Sequence, residues 1–316
     1  MNNTKLFRPV IGLLLTIAAG FSGSALADRT INKSFDVEGA GHLEVKTDVG
    51  SIQVRTHNQS KIEVSVEIEG FDEDEFTVEF DASSRGLEIK GEGDSGWGWG
   101  SGSRRVHFDI RLPQQYDVDL NTSGGSIQVG DLIGEVRAKT SGGSLRFGNI
   151  EGSIDGKTSG GSVSVNSSKG DVKVKTSGGS LNIGDVVGDV YGRTSGGSIT
   201  LGVVSGTADV ATSGGSIKMG NVGGTVSAKT SGGSVTVSMT EQPKGDSELS
   251  TSGGSIRVEL ASGIAVDLYA RGRKVYSDFE INGRSEAEYK LKGPINGGGP
   301  QLELHTSSGN VYIEKQ

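Results

Sequence analysis

Six side chains in this sequence have the type and spacing to hold a ligand. Trp97 and Trp99 are the only tryptophans of the chain and lie in the Gly/Ser-rich stretch GEGDSGWGWGSGS, residues 91–103. An exposed indole in such a loop stacks on a sugar ring or inserts into a partner, unless it folds back over its own protein. Lys139, Lys157, Lys175 and Arg193 recur every 18 residues. In a repeating fold that spacing lines up four cations for an anionic glycan or lipid headgroup. The plainer account of the same rank is a solvated edge that discourages aggregation of an open β surface.

The other chemistry-bearing residues assemble no reaction centre. His42, His57, His107 and His305 are scattered without a metal spacing such as HExxH, and the chain has no Cys. Neither a transition-metal site nor a disulfide is expected. A calcium β-roll also turns every 18 residues, but its nonapeptides need Gly and Asp where this chain has GGSIQVG, GGSLRFG and GGSVSVN. Asp131 and Asp185 recur at one turn, yet Asn149, Ser167, Val203 and Asn221 take that place in other units. A calcium ion would be short of oxygen ligands there. A polysaccharide-cleaving β-helix needs clustered carboxylates or basic groups, and no Asp, Glu, Arg or His cluster interrupts the regular units. The acidic FDEDEF at residues 71–76 reads as a solvated turn, with cation binding as the lesser alternative. An ice-binding lattice needs outward ranks of hydroxyls, whereas one outward rank here reads Arg137, Asp155, Lys173, Tyr191, Asp209, Ser227.

One phrase positions all of these residues. TSGGS begins at Thr122, Thr140, Thr158, Thr176, Thr194, Thr212 and Thr230, each 18 residues after the last, and again at Thr251 after 21. A catalytic motif is needed once; a phrase at fixed period shapes the backbone. After each phrase, apolar and polar residues alternate, as in Ile127 and Val129, Leu145 and Phe147, or Val163 and Val165. That is a strand with one face buried. A turn follows around Gly134, Gly152, Gly170, Gly188, Gly206 or Gly224, and then a second alternating run such as Val172-Lys173-Val174-Lys175-Thr176.

A pair of short strands cannot bury its apolar face alone, but identical units stacked in register pair every strand in parallel with its counterparts. The expected fold is all-β: a parallel β-solenoid of 18-residue two-strand coils, capped by an N-terminal antiparallel strand region. Eight coils about 4.8 Å apart make a rod about 40 Å long. TSGGS is then a corner, where glycine is expected to supply positive φ and to let coils approach closely. Each threonine continues the inward parity of Ala138, Gly156, Val174, Gly192, Val210 and Ala228. Its buried hydroxyl is expected to find partners among stacked threonines and corner amides.

Residues 1–27 carry Lys5 and Arg8, an apolar run from Val10 to Phe21, and Ala25-Leu26-Ala27 before Asp28. This is the layout of a secretory signal cleaved after Ala27, so the mature chain is expected to start at Asp28 and to work in the periplasm, at the cell surface or outside the cell. The run is shorter than the roughly 20 residues of a membrane span, and no other stretch is long enough. The net charge of −8 is concentrated in residues 28–121, which hold 10 basic and 20 acidic side chains; residues 122–256 hold 11 of each. Such a balance argues against a nucleic-acid binder. Residues 28–121 read as the start of the solenoid, with a degenerate corner at Thr47-Asp48-Val49-Gly50-Ser51-Ile52 and capping antiparallel strands between Lys61 and Pro113. Residues 122–256 form the regular repeat. Residues 257–316 supply the last strands and the C-terminal cap, with Thr306-Ser307-Ser308-Gly309-Asn310-Val311 repeating the corner.

The progression from FDVEGAGHLEVKTDVGSIQV through VHFDIRLPQQYDVDLNTSGGSIQVG to NGGGPQLELHTSSGNVYIEK resembles the bacterial β-strand-repeat family known by the name "putative adhesin". The resemblance covers nearly all of the mature chain, and its most distinctive part is the Leu-Pro segment before the first repeat. It implies a β-solenoid-like fold, often exported, and carries over no catalytic residues. The expected function is a non-catalytic exported scaffold that binds a surface glycan, lipid headgroup or envelope protein without cofactor or metal. The alternatives are an envelope-polysaccharide-acting β-helix enzyme and a calcium-binding β-roll.

Overall fold

The computed structural model describes residues 28–83, 86–93, 104–281 and 285–316. The leader segment with its expected cleavage site, and the Trp97/Trp99 pair, lie outside them. Each alternating run forms a strand, as in Leu145–Glu151 after one corner and Ile154–Lys157 after the following turn. Among the described residues the strands assemble two 15-stranded sheets. In the regular repeat the strand residues pair with their equivalents 18 positions on, and 21 positions on at the last interval: Leu145 with Val163, Val163 with Leu181 and Leu181 with Ile199 in the first sheet; Val136 with Ile154, Ile154 with Val172 and Val172 with Val190 in the second. The chain is a β-solenoid whose core lies between the sheets.

That core is a continuous column chiefly of Val, Ile and Leu, with a few larger residues such as Phe147 and a few smaller ones such as Ala138 and Gly156, each almost fully buried. Burying such a side chain contributes about 1.5–3 kcal/mol, so length of stack, not any one contact, holds the rod together. The first strand runs further than simple alternation foretells. In Leu145–Glu151 the parity slips at Gly148, so that Phe147 and Ile150 are both buried. The same inward place is taken by Leu132, Val186, Val204 and Val222, and in one coil by Ser168. The Ser168 hydroxyl reaches the carbonyls of Gly152 and Gly170, both at 2.8 Å.

The threonines point inward as parity requires, and all are buried. Their partners are corner peptides rather than one another. Thr140, Thr158, Thr176, Thr194, Thr212 and Thr230 each donate to the carbonyl of the second corner glycine of the preceding coil at 2.7–2.8 Å. Each also accepts from the second glycine N–H of its own corner at 3.3–3.4 Å. The closing serines form a second ladder, in which the Ser180 N–H donates to Ser162 Oγ and the Ser198 N–H to Ser180 Oγ, both at 3.2 Å.

The expected positive φ at the corner glycines is not found. None of the Gly-Gly pairs from Gly124-Gly125 to Gly253-Gly254 adopts it; the degenerate corner Gly50 (117°) and the opposite-turn Gly134 and Gly188 (149° and 154°) do. Close stacking imposes glycine instead. A Cβ at Gly179 would overlap the Gly161 carbonyl, whereas one at Gly178 would lie 3.1 Å from the Gly160 oxygen.

Both ends of the stack depart from chain order. The coil formed by Gly41–Thr47 and Ser51–His57 lies between the first regular coil and a further coil built from Gly86–Gly93 and Arg105–Pro113. Part of the segment expected to be antiparallel is therefore parallel, because it carries the same alternation and buries Leu87, Ile89, Phe108 and Ile110. The antiparallel cap comprises Lys61–Glu69 on Arg105–Pro113, Arg29–Asp36 beyond it, and Phe76–Ser83 on the second sheet. At the other end, Gln301–Thr306 and Val311–Lys315 insert between the Ser247–Leu260 coil and the strands Val266–Arg271 and Val275–Ser277.

Candidate functional site

The parallel ladder of the second sheet brings the basic rank together. Lys139 pairs with Lys157, Lys157 with Lys175 and Lys175 with Arg193, after which Ala211 interrupts and Lys229 resumes. Consecutive strands lie about 4.8 Å apart, a distance at which like charges repel by about 1 kcal/mol in water.

The structure relieves this repulsion unevenly. Lys157 pairs with Asp155 two residues back at 3.1 Å, and Arg193 with Asp209 on the next coil at 2.7 Å. Arg193 also donates to the Asp209 carbonyl at 2.7 Å, and its guanidinium lies 4.1 Å from the centre of the Tyr191 ring. The Lys175 ammonium approaches the same ring at 5.1 Å. Lys139 and Lys175 have no carboxylate partner among the described residues. An exposed ion pair is worth about 0–1 kcal/mol, so Lys157 is held loosely, whereas the part-buried Arg193 is fixed by its additional contacts. The result is a positive stripe with one aromatic ring at its end, beside a column of mixed charge at Arg137, Asp155, Lys173 and Asp209.

The remaining candidates are occupied structurally. Asp131 Oδ1 accepts the Asn149 N–H at 2.8 Å, and Asp185 Oδ1 accepts the Val203 N–H at 2.9 Å. These aspartates tie one coil to the next. Among the described residues no three His, Cys, Asp or Glu side chains cluster as metal ligands. In the acidic turn, Glu75 accepts the Asp72 N–H at 3.0 Å and pairs with Arg104 at 2.8 Å. The N–H first, and Arg104 after it, hold the Glu75 carboxyl below its ordinary range. Phe71 and Phe76 pack beneath at 5.5 Å between ring centres. Of the histidines, His107 Nδ1 lies 2.8 Å from Ser51 Oγ, and the other three stand apart from it on different strands.

The opposite face carries a feature that parity only half discloses. Alternation shows that Gln128, Arg146, Ser164, Asn182 and Thr200 point outward from the first sheet, but not that they line one trough.

No curated protein matches the chain. Similar solved structures include a "putative adhesin" from Parabacteroides merdae (10% identity, 90% of this chain and 96% of that one, TM-score 0.36). A "putative cell adhesion protein" from Clostridium sporogenes shares 11% identity over 92% of this chain and 100% of that one, with a TM-score of 0.27. A "putative lipid binding protein" from Parabacteroides distasonis shares 11% identity over 91% of this chain and 96% of that one, with a TM-score of 0.36. Among the described residues no helix is long and apolar enough to cross a membrane. The Toastrack DUF4097 family profile matches residues 41–314, nearly the whole solenoid, and the chain belongs to that family.

Proposed function

We propose that this protein is a non-catalytic binding scaffold of the cell envelope, exported by its N-terminal segment, whose second sheet holds an extended polyanion along Lys139, Lys157, Lys175 and Arg193. The observation that carries this reading is their register: four cations on four consecutive coils, two of them without a carboxylate partner among the described residues. A repeating anion matches a repeating cation, and a low-affinity contact multiplied along a rigid rod becomes a useful one. The exposed pair of Lys157 can open to a ligand at little cost, while the part-buried Arg193, held by Asp209 and the Tyr191 ring, presents a fixed cation at the end of the stripe.

The shared chemistry is a line of carboxylates or phosphates, supplied by an acidic polysaccharide or by lipid headgroups. Polygalacturonate and vesicles containing anionic phospholipid separate the two sources. Replacing all four residues with Gln is expected to weaken binding at least about tenfold while leaving thermal stability intact. Wild-type binding is expected to fall steeply as ionic strength rises from about 0.05 M to about 0.3 M. Trp97 and Trp99 supply the contrasting arm: if they make the contact, Trp97→Ala with Trp99→Ala removes a salt-insensitive contribution and the basic stripe is dispensable. Full binding by the Gln variant would overturn the proposal.

A further inference from the structure

The outer face of the first sheet carries a rank of different chemistry. Gln128, Arg146, Ser164, Asn182 and Thr200 occupy equivalent places on five consecutive coils, linked strand to strand by the parallel ladder. Two residues further along stand Gly130, Gly148, Asn166 and Gly184, and a shallow, open trough of about 420 Å³ runs over the five coils. Its length is about 19 Å, four strand spacings.

The hydrogen-bonding capacity of this rank is unspent. The corner serines and the turn aspartates accept amides of the next coil, and Asn166 at the side of the trough donates to Asn149, but the five side chains of this rank make no hydrogen bond or ion pair with any described residue. Asn and Gln each offer two donors and an acceptor, Ser and Thr a donor and an acceptor, and Arg donors only. Among the described residues no carboxylate and no exposed aromatic ring lines the trough, and its apolar members Val129, Phe147, Val165 and Ile183 are buried.

This set discriminates among ligands. One cation on five coils cannot hold a polyanion, and the apolar side chains beneath the rank are too buried to grip those of a peptide. The neighbouring strands are paired on both sides, so the trough offers no free edge for an added β-strand. Hydroxyl groups, each a donor and an acceptor, suit the rank. A polymer that repeats them along its length meets similar groups at every coil.

We propose that the trough binds a linear, uncharged glycan laid along the rod axis. The site is independent of the basic stripe on the other sheet. Each contact is an exposed, individually weak hydrogen bond, so affinity rises with the number of coils engaged.

Isothermal titration of residues 28–316 with β-linked glucose and N-acetylglucosamine oligomers, from disaccharide to hexasaccharide, tests this. The expected result is at least about tenfold tighter binding of a hexasaccharide than of its disaccharide, insensitive to salt. Ser164→Trp, which fills the trough from an exposed strand position, should abolish binding. Asn182→Ala with Thr200→Ala should weaken it about three- to tenfold while leaving the circular dichroism and melting temperature unchanged. The four-residue Gln variant of the basic stripe should bind these oligomers as wild type does, which separates failure of this site from failure of the other. Absence of binding by every hexasaccharide, equal binding by the Ser164→Trp variant, or saturation of the trough by an extended peptide would overturn the assignment.

Discussion

Thr176 Oγ1 donates a 2.7 Å hydrogen bond to the carbonyl of Gly161, one coil back, and accepts the N–H of Gly179 in its own corner at 3.3 Å. One buried hydroxyl thus joins two corners. Thr176→Val keeps the shape and removes both bonds, leaving a part-buried carbonyl and amide without their partner. The expected loss is about 1–3 kcal/mol, read from the midpoint of urea unfolding. Thr176→Ser retains the hydroxyl and should lose markedly less. Equal midpoints for Val and wild type would show that the threonine contributes shape alone.

The corner glycines are expected to differ from each other. Because Gly179 is constrained by the Gly161 carbonyl and not by φ, even a single methyl should force the coils apart. Gly179→Ala is expected to cost more than about 4 kcal/mol or to prevent folding, whereas Gly178→Ala, with 3.1 Å to the nearest oxygen, should cost about 1 kcal/mol or less. Thermal unfolding of the two variants decides it. Similar losses at both positions would return the explanation to backbone conformation.

These corners mark where sequence was sufficient and where it was not. Period and parity gave the coil, the inward threonines and the alignment of Lys139 with Lys157, because a ladder with a constant 18-residue offset carries local alternation directly into space. The reason for the glycines was not legible, since TSGGS says that no Cβ fits without saying what it would meet. The insertion of Gly41–Thr47 between Gly86–Gly93 and Tyr116–Thr122 was hidden for a different reason. Several strands of similar alternation compete for each place in the stack, and only long-range pairing chooses among them. At the candidate site, the offset placed the cations but not Asp209, whose ion pair with Arg193 crosses to the next coil.

A pH test follows from Tyr116, which is 3% exposed and pairs across the second sheet with Gly41. Burial raises its phenol above the ordinary value of 10.0. The folded state therefore holds this proton more tightly than the unfolded chain. Its contribution is fully present below about pH 10 and is lost as pH rises through the folded value. Urea midpoints measured from about pH 9 to about pH 11 should fall for wild type and fall less steeply for Tyr116→Phe. Identical slopes would mean that Tyr116 titrates alike in both states.

The final prediction concerns how the core fits residues of unequal size into equal coils. Gly156 lies opposite Phe147: a Cβ there would come within 3.2 Å of the Phe147 ring and 3.3 Å of Leu145. In the next coil the register partners of Gly156 and Phe147 are Val174 and Val165. A large and an absent side chain are thus exchanged for two medium ones. Gly156→Val alone should overpack the coil at a cost of about 1–3 kcal/mol, and Phe147→Val alone should leave a cavity at a cost of similar size. Together they recreate the arrangement of the neighbouring coil, so the double variant should be more stable than the sum of the two losses by at least about 1 kcal/mol. A double-mutant cycle by urea unfolding measures that coupling. Simple additivity would mean that the two positions do not share one packing volume, and that the alternation of sizes along the stack has another cause.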